Sequence, residues 1–158
     1  MSSSKPAIQS SSLDPHTTTL YPEPYRSRVL PRSKRKLGDA FGLTKIGVNC
    51  TTLAPGKESS MRHWHTLEDE FVYLLEGELV LRTSSGEQVL SAGMCAGFPA
   101  GAEDGHQFIN RGSVPAVYLE VSNRDSADTA YYSDPDVDML SSPPDAPPKI
   151  TRRDGSSY

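Results

Sequence analysis

Between Leu37 and Asn123 no segment offers ten or more residues of helical periodicity, and turn-forming residues interrupt the chain roughly every 8–12 positions. Ala54-Pro55-Gly56, Glu76-Gly77, Ser84-Ser85-Gly86-Glu87 and Ser91-Ala92-Gly93 are the clearest breaks. The stretches between them read as strands: Ile46–Leu53, with β-branched Ile46, Val48, Thr51 and Thr52, then Phe71–Leu75, Glu78–Thr83, Gln88–Leu90 and Pro115–Val121. A chain punctuated this way is restricted to an all-β sandwich or small barrel. Both parities of Phe71-Val72-Tyr73-Leu74-Leu75 are apolar, so that strand is expected to be covered on two faces, by a second sheet or by a partner subunit.

The 158 residues suit one domain, and a hydrophobic content of 35% leaves part of the length outside its core. Residues 1–20 are rich in Ser, Thr and Pro, and Tyr21-Pro22-Glu23-Pro24-Tyr25 is stiff and aromatic. Three regions are therefore expected: a flexible, extended N-terminal arm over 1–36, a β domain over 37–123 and a surface-wrapping, Pro-rich C-terminal tail over 124–158. Pro143, Pro144, Pro147 and Pro148 bar a central strand or helix there, and Tyr131, Tyr132, Met139 and Ile150 are the expected anchors. The basic run Arg26, Arg28, Arg32, Lys34, Arg35 and Lys36 reads as a solvated edge. A formal net charge of -4 speaks against a nucleic-acid partner. No apolar run approaches a membrane span, and the opening MSSSKPAIQSSS lacks a signal-peptide pattern, so a cytoplasmic protein is expected. Cys50 and Cys95 stand alone, which suggests neither a thiolate zinc site nor a disulfide, and Cys95 reads as a small buried residue.

Three of the four histidines fall in two short segments, Arg62-His63-Trp64-His65 followed by Glu68-Asp69-Glu70, and the stretch Pro99 to His106. Positions i and i+2 of a strand project from one face, so His63 and His65 can chelate a single ion. Glu70 lies five residues beyond His65, and the polar Thr66-Leu67-Glu68-Asp69 is expected to reset the register and aim its carboxylate inward. His106 must come from a distant strand. Imidazole and carboxylate without thiolate suit Fe2+, Mn2+, Ni2+ or Zn2+. Trp64 has the opposite parity and is expected to pack against another sheet or a partner. Met61, Phe108 and Asn110 share the histidine faces and are the expected pocket lining.

Gly56-(six residues)-His63-Trp64-His65-(four residues)-Glu70-(six residues)-Gly77 resembles the first cupin motif, with one extra residue before the first histidine. Gly93-(five residues)-Pro99-Ala100-Gly101, followed by His106 and Asn110, is similar to the second. The likeness runs from Gly56 to Asn110, and the stretch from His63 to Tyr73 is similar to one shared by uncharacterised single-domain cupins. It implies a double-stranded β-helix, a jelly-roll-like small barrel, with His63, His65, Glu70 and His106 as metal ligands and Gly77 and Gly93 in turns. A homodimer is also implied. Between Gly101 and His106 the second motif is about two residues longer than usual. The insertion shifts His106 out of line, supplies Glu103 or Asp104 to a substrate, or bulges harmlessly, and the shared stretch favours the last.

Four protein ligands leave positions open for water, substrate or dioxygen. The expected function is a small metalloenzyme acting on an oxygen-rich small molecule, of isomerase, lyase or dioxygenase type. Glu103 and Asp104 are the candidate catalytic acids. A non-catalytic binding or sensing module, or a protein whose metal only staples the barrel, is the alternative.

Overall fold

The computed structural model describes residues 7–141 and 149–158; Pro143, Pro144, Pro147 and Pro148 lie outside them, as do the first six residues. After a 3-10 turn at Ser10–Ser12 the elements are α1 (Tyr25–Val29), β1 (Arg32–Lys36), α2 (Leu37–Ala40), β2 (Ile46–Leu53), β3 (His63–His65), β4 (Glu70–Glu76), β5 (Glu78–Thr83) and β6 (Gly86–Ser91). There follow β7 (Cys95–Phe98), β8 (Gln107–Ile109), β9 (Ala116–Asn123), β10 (Ala130–Tyr132), β11 (Leu140–Ser141) and β12 (Ile150–Thr151). One sheet has the order β1-β2-β9-β4-β7 and another β6-β5-β8, while β10 pairs with β3 and β11 with β12. A main-chain bridge between His63 and His106 ties β3 to the start of β8. All pairings are antiparallel, giving the expected jelly-roll-like β-sandwich.

Period-two alternation builds the core. Val72 and Leu74 of β4, Ala116 and Tyr118 of β9 and Leu53 of β2 face Leu79, Leu81, Leu90 and Phe108 of the opposing sheet. Burial of each Val, Leu or Phe among them contributes roughly 1.5–3 kcal/mol. The other face of β4 is not covered by the described residues: Phe71, Tyr73 and Leu75 are 43%, 37% and 41% exposed, beside half-buried Val48, Leu119 and Val121. Cys95 pairs with Tyr73 in register and is likewise exposed rather than buried. No helix of the described residues is long and apolar enough to cross a membrane.

The sheet begins at Arg32, inside the span read as arm. Strand β1 runs along β2 from the pair Arg32↔Leu53 to Lys36↔Asn49. Its five residues are all polar, so no hydrophobic alternation announces it. Upstream, Tyr25 and Val29 of α1 are buried with Met61, Val137 and Met139, bordered by Tyr21, Tyr132 and Ile150. The arm and the tail therefore meet over β3 in a second apolar cluster, because apolar side chains in both segments find partners within this one chain.

Gly77 joins β4 to β5 at φ +80°, and a Cβ there would lie 2.9 Å from the Pro115 carbonyl oxygen and 3.0 Å from Ala116 Cα. Backbone strain and a backbone clash thus act together at one residue. Gly77→Ala is expected to destabilise the fold by about 2–3 kcal/mol, read as a lower urea midpoint with an unchanged slope.

Candidate metal centre

Strand β3 presents His63 and His65 on one face, with ring centroids 5.0 Å apart. Glu70 opens β4 two residues before buried Val72, so the pleat aims its carboxylate into the barrel. His106 is held opposite by its bridge to His63, with N–H···O distances of 2.9 and 3.2 Å. The result is a convergence on one atom: Glu70 Oε2 lies 2.8 Å from His106 Nε2, 3.6 Å from His65 Nε2 and 3.9 Å from His63 Nε2. The ligand atoms of His63, Glu70 and His106 all lie within 4.8 Å of one another.

Outer partners orient two of the rings. His63 Nδ1 lies 2.8 Å from the Met61 carbonyl oxygen, and His65 Nδ1 lies 2.6 Å from Asp128 Oδ2. Acceptors on both Nδ1 atoms put the proton there and leave the Nε2 lone pairs directed at Glu70. His106 is fixed differently, by stacking on Phe98 with centroids 3.6 Å apart and planes within 3°. The turn between the ligating strands is pinned by the same Asp128, whose Oδ1 accepts the Leu67 and Glu68 amides at 2.7 and 3.1 Å. Asp69 accepts the Ala100 amide at 2.8 Å, and Glu68 the Asp125 amide at 3.1 Å. These contacts occupy the two acids that compete with Glu70 in the sequence, although His65, Glu68 and Asp128 also bring ligand atoms within 4.8 Å.

Burial pushes the His63 imidazole down to about 4, with Glu70 opposing and His106 and His65 reinforcing. For Glu70 burial acts upward, but the His106 imidazole and then His63 and His65 outweigh it and hold the carboxyl at about 2. Glu70 is therefore a carboxylate and His63 a neutral imidazole at neutral pH, the protonation states that bind metal. Glu70 Oε2 is also buried without a hydrogen-bond partner of good geometry. Such an anion, faced by imidazole nitrogens, belongs to a nitrogen-and-carboxylate set that fits a first-row divalent ion.

The other sequence-derived candidates separate. Phe108 borders the larger of two cavities at the cluster, about 490 Å³, together with His63, Glu70 and His106. Met61 does not line it; it is fully buried in the second apolar cluster and contributes its carbonyl to His63. Nor does Asn110, which is fully buried and donates to the Leu53 and Val114 carbonyls at 2.9 Å each, so that its amide closes loops. Asp104 borders a second cavity of about 290 Å³ with Trp64, His65, Glu70 and His106, whereas Glu103 lines neither. The Ser84 side chain and its backbone N–H hold the Asp104 carboxyl below its ordinary range. Trp64 stacks on Tyr131 of β10, centroids 5.0 Å apart. The longer loop before His106 leaves that residue in line, with the Gly101 amide bonded to the His65 carbonyl at 2.8 Å.

Sequence reasoning missed Asp128, Tyr21 and Tyr132 as site residues. Asp128 lies in no motif, and the two tyrosines reach the larger cavity from the arm and the tail. Burial pushes both phenols up, so each is a neutral hydroxyl in the cavity wall.

Because folded His63 resists a proton that the unfolded chain accepts at about 6.5, stability rises with pH between these values and is lost as pH falls from 6.5 towards 4. Chelator-treated protein is expected to lose a few kcal/mol across that window by thermal melting, and His63→Gln to flatten the slope.

Residues 49–122 match the family described as Cupin domain. The tetracenomycin polyketide synthase protein TcmJ of Streptomyces glaucescens is 35% identical over 132 residues, covering 78% of this chain and 85% of that protein. The crystal structure of a sugar phosphate isomerase from a cupin superfamily, from Silicibacter pomeroyi, is 42% identical with a TM-score of 0.89 and covers 97% of this chain and 96% of its own. The polyketide cyclase RemF of Streptomyces resistomycificus shares the fold alone, at 16% identity and a TM-score of 0.62 over 75% of this chain and 79% of that one. With both motifs folded around one cluster and these relatives alongside, the chain belongs to the cupin superfamily.

Proposed function

We propose that this chain is a metal-dependent enzyme that isomerises an oxygen-rich small molecule of the sugar phosphate type, with His63, His65, Glu70 and His106 holding Fe2+, Mn2+, Ni2+ or Zn2+. The observation that carries the reading is the convergence of three imidazole Nε2 atoms, the nearest at 2.8 Å, on one buried carboxylate oxygen. Isomerase is preferred over lyase and dioxygenase because the 42% identical relative bears the name of a sugar phosphate isomerase. A bound divalent cation supplies Lewis-acid polarisation of a carbonyl or hydroxyl. The protein's own share is orientation and proton control. The neutral hydroxyls of Tyr21 and Tyr132 donate to substrate oxygens in the larger cavity, and Phe108 closes its apolar side. In this reading Asp104, ionised and held by Ser84, accepts substrate hydroxyls from the second cavity, and Glu103, which lines neither cavity, takes no part. The free thiols Cys50 and Cys95 suit a reducing compartment, and the reading is of a cytoplasmic enzyme.

Elemental analysis of protein purified without chelator is expected to find about one equivalent of divalent metal per chain. His63→Ala and His106→Ala should each cost more than the roughly 10–100-fold in metal affinity typical of removing an outer partner. Both should abolish aldose–ketose interconversion of phosphorylated sugars. Metal-free protein that takes up no cation on dialysis would overturn the reading, while bound metal without turnover would favour a binding module.

We also infer a homodimer built on the outer face of β4, where Phe71, Tyr73 and Leu75 form an exposed apolar row beside Val48, Leu119 and Val121. Sedimentation should return a dimer for the native protein and a monomer for the double variant Phe71→Glu, Tyr73→Glu. A native monomer contradicts this.

A further inference from the structure

We infer that Arg32, Lys34 and Lys36 form an anion subsite that holds a substrate phosphoryl group across the larger cavity from the His–Glu cluster. The inference rests on the proposed function in one respect, that the reacting end of the substrate lies at that cluster. Positions 32, 34 and 36 alternate along β1, so their side chains share one face of the strand. All three border the cavity of about 490 Å³ that His63, Glu70 and His106 also line. Roughly 300–1,000 Å³ is the usual size of a small-molecule site, so one ligand can touch both walls.

The charges in that cavity are unevenly matched. Its carboxylates are Glu70, committed to the imidazoles, and Glu120, which pairs with Lys34 at 2.6 Å. No carboxylate among the described residues lies within ion-pair distance of Arg32. Its guanidinium donates to the Ser59 carbonyl, and the remaining N–H groups of the fork are available to a ligand. Lys36 reaches Asp39 only at 4.0 Å, with both side chains nearly half exposed, a contact worth little. Arg32 and Lys34 are therefore not the tips of a solvated edge, as the basic run alone suggests; they are half-buried and turned to the same cavity as the candidate metal centre, with exposed Lys36 at its rim.

A phosphoryl group suits this wall better than a neutral hydroxyl or a single carboxylate. It is a dianion with three equivalent oxygens, which a guanidinium grips in bidentate fashion while the Lys36 ammonium balances the second charge and Lys34, paired with Glu120, offers its remaining N–H groups. The arm frames the same subsite. The His16 backbone exchanges two hydrogen bonds with Lys34, at 2.8 and 2.9 Å, and the hydroxyl-bearing Thr18, Thr19 and Tyr21 follow along the cavity.

The test is an amide NMR titration of the full-length, 15N-labelled protein with inorganic phosphate, with acetate as the carboxylate control at matched ionic strength, and with metal content measured in parallel. Saturable shifts centred on residues 32–36 and His16 are expected with phosphate and not with acetate. Arg32→Gln should weaken phosphate binding about tenfold or more, the loss of one charged hydrogen-bonding partner. Lys36→Gln, at the rim, gives a milder loss and keeps the test decisive if Arg32→Gln does not fold. Shifts confined to the His63, His65 and His106 amides that survive Arg32→Gln would overturn the subsite, as would equal binding of acetate or no phosphate binding. Failure of phosphate binding in protein that carries its equivalent of metal overturns the subsite alone. Phosphate binding at β1 in protein that binds no metal overturns the metal reading alone.

Discussion

A carboxylate oxygen taken out of water must be matched by positive charge or by hydrogen-bond donors, and Glu70 Oε2 sets that requirement at the centre of this barrel. The alternation that buries Val72 and Leu74 also takes Glu70 Oε2 out of water, so the site's anion follows from the packing of the core strand. Three imidazoles answer it from β3 and from the approach to β8, and most of the neighbouring polar structure serves to hold them still. Asp128 fixes the His65 ring and the turn after it, the Met61 carbonyl fixes His63, and Phe98 lies flat on His106. A neutral replacement at Glu70 would relieve the constraint and, with it, the reason for this arrangement.

The termini act as walls of the site. Strand β1 extends the sheet and turns its basic face to the larger cavity, while β10 pairs with β3 and carries Tyr132 to the other side. Gly105, immediately before His106, packs so closely on Ser133 that an added Cβ would collide with its hydroxyl oxygen. The loop that delivers His106 and the tail that follows the barrel are thus fitted to each other.

Most of the barrel is legible in the sequence because its signals are local. Turn glycines such as Gly77 and Gly93 take positive φ where the chain must reverse, and the HxH spacing has meaning only on a strand. Glu70, set five residues from His65, is legible only if a turn resets the register, and the turn is there. What escapes is what depends on distant pairing. Arg32–Lys36 has no apolar alternation, so nothing marks it as a strand until β2 is beside it. Asp128 is an acid in a polar stretch until its 2.6 Å contact with His65, 63 positions away, gives it a role. Parity sets Met61 and Asn110 on the histidine faces, but parity gives a face and not what lies beyond it: for Met61 the partners are Tyr25, Val29, Val137 and Met139.

The division between barrel and termini has a consequence for comparing such proteins. All four converging donors lie within residues 49–122, the span that matches the Cupin domain. Arg32, Lys34, Tyr21 and Tyr132, which face them across the cavity, lie outside it. On the proposed function, chemistry and selection are thus written in separate stretches of one chain. Two proteins can keep the same barrel and the same donors while exchanging their ends, and so draw different molecules to an unchanged centre.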